Sequence, residues 1–548
     1  MAELWTEEAE SSRCDTVDEN RNYLRKSTPL LLVVIFLSLA YLAGLMYYAQ
    51  VRPLDPDEGF YISAAKLAGE GKTPYRDFSF HQGALMPYLY GLTWRLYPHS
   101  LIAMRFLSAA CGGIAVLLWG LCLISVKKLP SKVALATFAV ILLNPYWISW
   151  NVLTKTFAVA NLLMTVAMIS LYAAIHSGRA RWYFVAGAAI GACASARALY
   201  APLVPFLFLW LFYQDYRAAQ AGFRKTLAYL AGAACGLAPM LYSFTTDPGA
   251  FVFYNFKYRP LSSPYVTLRH FVHIDGFCLI SLGLKLYFVA EVLLAIAGGV
   301  SMLKLRKSRG DPYSQQDYLY LQLALGMMVV YVATSLIPFP AWAQYYTSPL
   351  VPFSIFFIAE GLRVILRPGA ETMVPVGAVA LILSLVGIRG ELEFSRVPYQ
   401  QLSSYRKIAQ AITANTDPND VVLSIWPGFV FESGRRYFPG SENHFNYTVA
   451  GKLSPEARRR YHLISKYEII KAVSDRDINL VVYSPYVAYL DSTMSATELH
   501  DFRAALDSNY SLVEKIDGIG IYRPRSPVSS PPSPAADKNL PSETKGGS

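Results

Sequence analysis

The stretch TPLLLVVIFLSLAYLAGLMYYAQVRPLDPDEGFY, residues 28–61, runs without a charge from Thr28 to Val51 and then meets Arg52, Asp55, Asp57 and Glu58 in quick succession. An uncharged apolar run of about 20 residues is the length of a membrane-crossing helix. Similar runs recur along the chain, at 28–51, 101–126, 133–150, 155–176, 182–197, 199–213, 226–246, 277–303, 318–338, 346–365 and 372–389, which makes about eleven spans. Composition agrees. The 548 residues are 54% hydrophobic and 16% charged, where a soluble chain carries about 25% charged residues.

The short loops orient the spans. Lys127, Lys128 and Lys132 share one loop, and Arg179 and Arg181 the next loop on that side. Arg217, Arg224 and Lys225 follow, then Lys304, Arg306, Lys307 and Arg309, then Arg363 and Arg367. These alternate loops belong on one side, and the excess of Lys and Arg makes it the cytoplasmic one. The N-terminal tail, 1–27, is then inside, and everything beyond about residue 390 is outside. The tail is too long and too acidic for the leading region of a cleaved signal, so the first run reads as an anchor. The net charge of +11 is accounted for by these loops, and no basic helix interleaved with aromatics points to nucleic acid. None of the six cysteines has CxxC or metal-ligand spacing, so neither a zinc site nor a disulfide framework is indicated.

Three outer segments are long enough to hold structure: 52–100, 247–276 and the C-terminal part. The first reads as two amphipathic helices, 57–70 and 83–97, lying apolar face down on the membrane interface. Beyond 397 the pattern changes. DVVLSIW and INLVVYSPY are short β-rich runs, YRKIAQAIT and TELHDFRAAL have helical periodicity, and YSLVEKIDGIGIYRP reads as a closing hairpin. The organisation is therefore a tail (1–27), a membrane domain (28–397), a small outer α/β domain (398–525) and a Pro- and Ser-rich disordered tail (526–548).

LDPDE has two readings. Asp55 is a good N-cap, Pro56 suits the first helical position and Glu58 completes a capping box. Carboxylates at a helix N-terminus are each worth about 0.3–1 kcal/mol. This reading gives Asp57 no structural partner. A carboxylate held just above the hydrocarbon is also well placed to take a proton from a hydroxyl, and a cap would hold it still.

An acidic pair just after the first span, two interfacial helices and HQGALMPYLYGLTWRLY (81–97) together resemble the GT-C superfamily of membrane glycosyltransferases, which use polyprenyl-phosphate sugars. The resemblance is nearest to the bacterial branch related to protein O-mannosyltransferases and lipid A aminoarabinose transferases. That branch has Asp-Glu followed by an aromatic, here Asp57, Glu58 and Tyr61, and a Pro-Leu start to the second interfacial helix, here weakened to Leu85, Met86 and Pro87. The resemblance covers the layout of residues 28–390. It implies that Asp57 lies at the reaction centre with Glu58 beside it, and that His81 stands where relatives have a second polar residue. A wet loop explains His81 equally well.

A lipid-phosphate donor needs cations at its phosphate. Lys155 and Arg197 lie at the outer ends of spans, where charges are usually paired or functional, although snorkelling toward headgroups also accounts for them. Lys257 and Arg259 lie among aromatics in FYNFKYRPLSSPYVTLRHF, which suits a sugar and a phosphate, or an ordinary aromatic belt. Tyr345, in PFPAWAQYYTSPLVPF, matches an aromatic-polar-Pro stretch of the related enzymes. In the outer domain Arg435 of GFVFESGRRYFPGSENHF marks a loop for an anionic or sugar ligand, or a solvated basic loop. Lys285 and Glu291 share a helix but not a face, and Glu360 with Arg363 reads as a structural pair.

The expectation is a polytopic α-helical membrane protein of GT-C type with a small outer α/β domain, in the bacterial cytoplasmic membrane. By resemblance it is an inverting glycosyltransferase moving a sugar from a polyprenyl-phosphate carrier to a hydroxyl of a glycan, lipid or protein outside the membrane. Asp57 is the base, and Lys155 and Arg197, with Lys257 or Arg259, hold the phosphate. No nucleotide is expected, since no Gly-rich phosphate loop is present. Two adjacent carboxylates without a third ligand make a weak divalent-cation site, so no metal is expected. The rival readings are a transporter or flippase for lipid-linked sugars, which lacks an inverted repeat here, and a non-enzymatic scaffold with a glycan-binding outer domain.

Overall fold

The computed structural model describes residues 2–218, 222–262, 282–305, 312–336, 347–366, 380–386, 388–389, 398–484 and 493–525. They fall into two compact units, Met1–Ser403 and Ser404–Ser548.

The first unit is helical: α1 (Ala2–Val51), α2 (Glu58–Gly69), α3 (Leu85–Leu96), α4 (Leu101–Leu121), α5 (Ser131–Leu142), α6 (Pro145–Trp150), α7 (Thr156–Ser177), α8 (Ala180–Ala196), α9 (Leu203–Ala218), α10 (Arg224–Thr246), α11 (Pro248–Val252), α12 (Tyr258–Ser262), α13 (Leu282–Leu305), α14 (Pro312–Leu336) and α15 (Thr347–Ile365). Six segments within the described residues are long and apolar enough to cross a membrane: Ser27–Val51, Leu101–Val126, Thr156–Ser177, Arg224–Thr246, Gln315–Ser335 and Ser348–Ile365. The protein is a multi-pass membrane protein. The run expected to span at 133–150 is two helices, because Asn144 accepts from the backbone N–H groups of Tyr146 and Trp147 at 2.9 and 3.1 Å and starts α6 afresh, with Pro145 at its first position.

Helices α8 and α10 pack backbone to backbone. A Cβ on Gly187 would lie 2.2 Å from the carbonyl of Tyr229, and one on Gly232 2.0 Å from that of Phe184. Gly191 and Gly236 repeat the approach one turn on, at 2.5 and 2.1 Å from the carbonyls of Ala233 and Ala188. In hydrocarbon, where apolar burial drives no helix association, such small-residue contacts hold helices together.

The helix expected over 57–70 is present as α2, but it does not lie on the surface: all of its residues are buried. It packs against α3, which touches it so closely that a Cβ on Gly91 would be 2.9 Å from the Gly69 nitrogen. Only α3 keeps a solvent or lipid face, burying Met86, Pro87, Tyr90 and Gly91.

The second unit carries a five-stranded sheet in the order β2-β1-β3-β5-β4: β1 (Val421–Ser424), β2 (Arg436–Tyr437), β3 (Leu480–Tyr483), β4 (Tyr510–Ile516) and β5 (Ile519–Pro524). β1 pairs in parallel with β2 and β3, and β5 is antiparallel to β3 and β4. Helices Lys466–Asp475 and Ala496–Asn509 both start with capping boxes, Ser465 with Glu468 and Ser495 with Glu498.

Candidate active site

The turn after α1 is pinned by an arginine of α4. Arg105 is fully buried, and its Nε and Nη2 donate to the Glu58 Oε1 and Oε2 atoms at 2.8 and 2.6 Å. Its remaining donors reach the carbonyls of Ala49 (3.0 Å), Arg52 (2.7 Å) and Pro53 (3.2 Å). A bidentate guanidinium–carboxylate pair of this kind is strong and directional. Glu58 also accepts from the backbone N–H of Thr154 at 3.0 Å and of Asp55 at 3.3 Å. Glu58 therefore has no face left for a substrate. The expectation that it is catalytic gives way to a framework role: it ties the 53–58 turn to α4 and to the loop before α7.

The capping expectation is also displaced. Helix α2 begins at Glu58, and Asp57 stands at the N-cap without a capping side-chain bond. Asp55 Oδ1 instead accepts from the Asp57 N–H at 2.9 Å, which closes the turn one step earlier. Half of the expected box remains, in the bond from the Asp55 N–H to Glu58.

Asp57 does have a partner. The Lys155 ammonium lies 2.7 Å from Asp55 Oδ1 and 2.8 Å from Asp57 Oδ2. The side chains are exposed in a gradient: Lys155 3%, Asp55 12%, Asp57 33%. Trp150, ending α6, puts its ring 5.1 Å from the Lys155 nitrogen and 5.6 Å from the Arg52 guanidinium. Arg52 in turn donates to the Ser149 carbonyl, and the Tyr90 hydroxyl of α3 donates to the Lys155 carbonyl at 3.3 Å.

Arg197, at the end of α8, donates to the hydroxyl of Thr156 at 3.1 Å and lies 4.3 Å from the Phe157 ring centroid. That brings it to the residue after Lys155. The HQG loop is seated against the same helix end, since a Cβ on Gly83 would fall 2.2 Å from the Ser195 carbonyl and 2.6 Å from the Ala196 carbonyl carbon. His81 is part of a ring stack, 4.9 Å from Phe60 of α2 and 4.7 Å from Tyr258 of α12. The stack continues through Tyr254 to Tyr75 at 5.7 Å per step. It fixes the backbone that carries Lys257, which is exposed, and Arg259, which is half-buried. Tyr345 lies outside the described residues.

Dispersed along the sequence, Asp57, Lys155 and Arg197 thus meet on a short path through Thr156, with His81 joined to it through Gly83. The fold is of GT-C type. It is similar to that of ArnT from Cupriavidus metallidurans bound to undecaprenyl phosphate, with a TM-score of 0.59 and 14% identity over 90% of this chain and 98% of that one. The apo form of that ArnT aligns with a TM-score of 0.58 and 12% identity, over 91% and 98%. The family of dolichyl-phosphate-mannose-protein mannosyltransferases matches residues 81–243, the segment that holds His81, Lys155 and Arg197. No curated protein matches by sequence.

Other polar groups of the helical unit are paired within the scaffold. At the far end of α7 from Lys155, Lys127 bonds to Asp317 and lies 3.4 Å from Glu360. Asp317 also meets His176 Nε2 at 3.1 Å and accepts from the Tyr172 hydroxyl at 3.0 Å. Arg363 lies 3.7 Å from Glu360, as its spacing implies. Glu291 accepts from the Asn144 amide at 2.7 Å, which steadies the cap of α6. In the second unit Arg435 donates to the Thr416 hydroxyl (2.9 Å) and to the carbonyls of Thr413 (3.1 Å) and Thr416 (2.8 Å), closing the C-terminus of helix Leu402–Ala414. Among the described residues, no group of three or more His, Cys, Asp or Glu side chains is placed to hold a metal ion.

Arg105 escaped the sequence reading although it carried a signal. It is a lone charge inside the apolar run LIAMRFLSAACGG, and intramembrane charges are rare unless paired or functional.

Proposed function

We propose that this protein transfers a sugar, with inversion, from a polyprenyl-phosphate carrier to a hydroxyl of a glycan, lipid or protein on the outer side of a bacterial cytoplasmic membrane. The observation that carries the reading is the Asp57 carboxylate, the most open of the three carboxylates in the turn, with Arg197 reached through one intervening residue. A base with one free edge beside a cation is what attack on a sugar phosphate needs. The undecaprenyl phosphate bound to ArnT, a protein of the same fold, supports the lipid-phosphate donor.

In this mechanism Asp57 removes the acceptor's proton while the acceptor oxygen attacks the anomeric carbon from the face opposite the phosphate. The bond from that carbon to the phosphate oxygen breaks, and its electron pair leaves on the phosphate. Arg197, with Lys257 and Arg259 from the segment held by the ring stack, neutralises the departing group. Glu58 and Arg105 keep the turn rigid, so that Asp57 loses nothing to reorganisation.

Purified protein in nanodiscs, given radiolabelled polyprenyl-phosphate hexoses and pentoses with membrane-glycan acceptors, should release free polyprenyl phosphate. Asp57→Asn should cut release by about 100- to 10,000-fold, the usual worth of a general base. Equal release by both proteins would remove Asp57 from the chemistry. Movement of intact lipid-linked sugar across the bilayer without release would make the protein a flippase.

A further inference from the structure

Lys155 answers to two carboxylates, yet an ammonium has three N–H donors. Two are accounted for by Asp55 and Asp57. Among the described residues the third meets no oxygen; its neighbour is the Trp150 ring, 5.1 Å from the nitrogen. A side chain 3% exposed whose third donor meets no oxygen among the described residues can take an oxygen of a ligand there. Its stem is flexible and its charge is a point rather than a fork, so it can shift between acceptors without leaving its seat.

We propose that Lys155 is a charge relay between the base and the leaving group. This rests on the glycosyl-transfer reading above. Before reaction, Asp57 is ionised and holds the ammonium, while the donor is a phosphodiester with one negative charge. As transfer proceeds, the acceptor's proton moves onto Asp57 and cancels its charge. The carbon–oxygen bond to the phosphate breaks, and the carrier leaves as a monoester with nearly two negative charges. The pull on Lys155 from Asp57 disappears as the pull from the phosphate doubles, so the ammonium swings to the phosphate and keeps Asp55 as its anchor. Total charge is unchanged: one proton crosses to Asp57 and one electron pair to the phosphate. The base thus becomes strong when the donor's phosphate draws Lys155 away from it, which couples deprotonation of the acceptor to departure of the carrier.

The relay is read without turnover, by binding of a labelled polyprenyl monophosphate to protein in nanodiscs. Asp57→Asn imitates the neutralised base and should bind the monophosphate about tenfold tighter than wild type, as expected for a partly buried charge freed for a new partner. In a Lys155→Met background the same change should gain no more than about twofold, the residue of simple repulsion between phosphate and Asp57. Equal gains in both backgrounds, or no gain at all, would overturn the relay while leaving glycosyl transfer standing. Failure of wild type to bind the monophosphate would overturn both.

A second readout keeps a cation at position 155, in case Met leaves the two carboxylates unable to fold together. Lys155→Arg keeps a cation there but replaces the mobile point charge with a planar fork, so in that background Asp57→Asn should gain no more than about twofold in monophosphate binding. A tenfold gain there would refute the relay.

Discussion

Replacing Arg105 by Leu tests what holds the acidic turn in place. The guanidinium makes two bonds to Glu58 and three to the carbonyls of Ala49, Arg52 and Pro53, and both side chains of the pair are 0% exposed. Removing one partner of a buried ion pair leaves the other charge uncompensated, at about 3–5 kcal/mol. The orphaned carbonyls add to this, but not additively, since the backbone of the turn will relax around the smaller side chain. Against a total stability of about 5–15 kcal/mol, Arg105→Leu should remove a third or more. Glu58→Gln should cost a similar amount for the same reason. The double variant is the decisive one: with both charges gone, the second substitution should cost at least about 2 kcal/mol less than it does alone. Unfolding in mixed micelles of increasing SDS content, followed by tryptophan fluorescence, measures all four corners of the cycle. A loss below about 1 kcal/mol for Arg105→Leu, or a double variant equal to the sum of the singles, would mean that the pair is wet and that something else fixes the turn.

Gly232→Leu should drive α8 and α10 apart, because its first side-chain carbon already lands 2.0 Å from the Phe184 carbonyl, whereas Gly299→Leu, with open space around it, should leave the same SDS transition unmoved. Arg435→Met should raise hydrogen exchange at the end of helix Leu402–Ala414 and leave polyprenyl-phosphate release unchanged, since its donors are spent on that helix. Glu498 is held down from the ordinary 4.5 to about 2, chiefly by its hydrogen bond from Lys466 and then by Ser495. A carboxyl lowered on folding stabilises fully above its unfolded value and loses that contribution as pH falls through the folded one. Wild type should therefore protect helix Ala496–Asn509 better than Glu498→Gln above about pH 4.5, with the difference fading toward about pH 2 in paired exchange measurements.

Much of the architecture was legible because hydrocarbon imposes a simple rule on sequence: long uncharged runs, with polar turns between them. Failures came where local chemistry interrupts a run. The segment 133–150 is continuous in hydropathy, but Asn144 and Pro145 end one helix and start another. Helix α2 has the mixed composition of a surface helix, including Lys66 and Glu58, and was expected at the interface. Each of those charges is satisfied internally, Lys66 by Glu70 at 3.1 Å and Glu58 by Arg105, which no periodicity reveals. Lys155 and Arg197 were candidates by their depth, and Asp57 by its depth together with a family resemblance. What could not be read was who pairs with whom. Lys155 looked like a free cation for a phosphate, and its two carboxylate partners lie about a hundred residues away in sequence.

The acidic stretch is more than a capping box, because its three carboxylates are placed in different surroundings. Glu58 is withdrawn completely from solvent, and its oxygens are saturated by a guanidinium and two backbone N–H groups. Asp55 closes the turn through the Asp57 N–H and supplies one arm to Lys155. Asp57 gives one oxygen to the same lysine and keeps the largest exposed fraction of the three. A carboxylate can act as a base only if it has an edge that a proton can reach and a frame that keeps it from collapsing onto its neighbours. Glu58 and Asp55 provide the frame, and Asp57 alone has the edge. On this division of labour, moving the free carboxylate by one residue in either direction should abolish any chemistry at the turn. Asp57→Glu, by contrast, keeps the lysine partner and the open edge, so it should retain more turnover than any other substitution at that position.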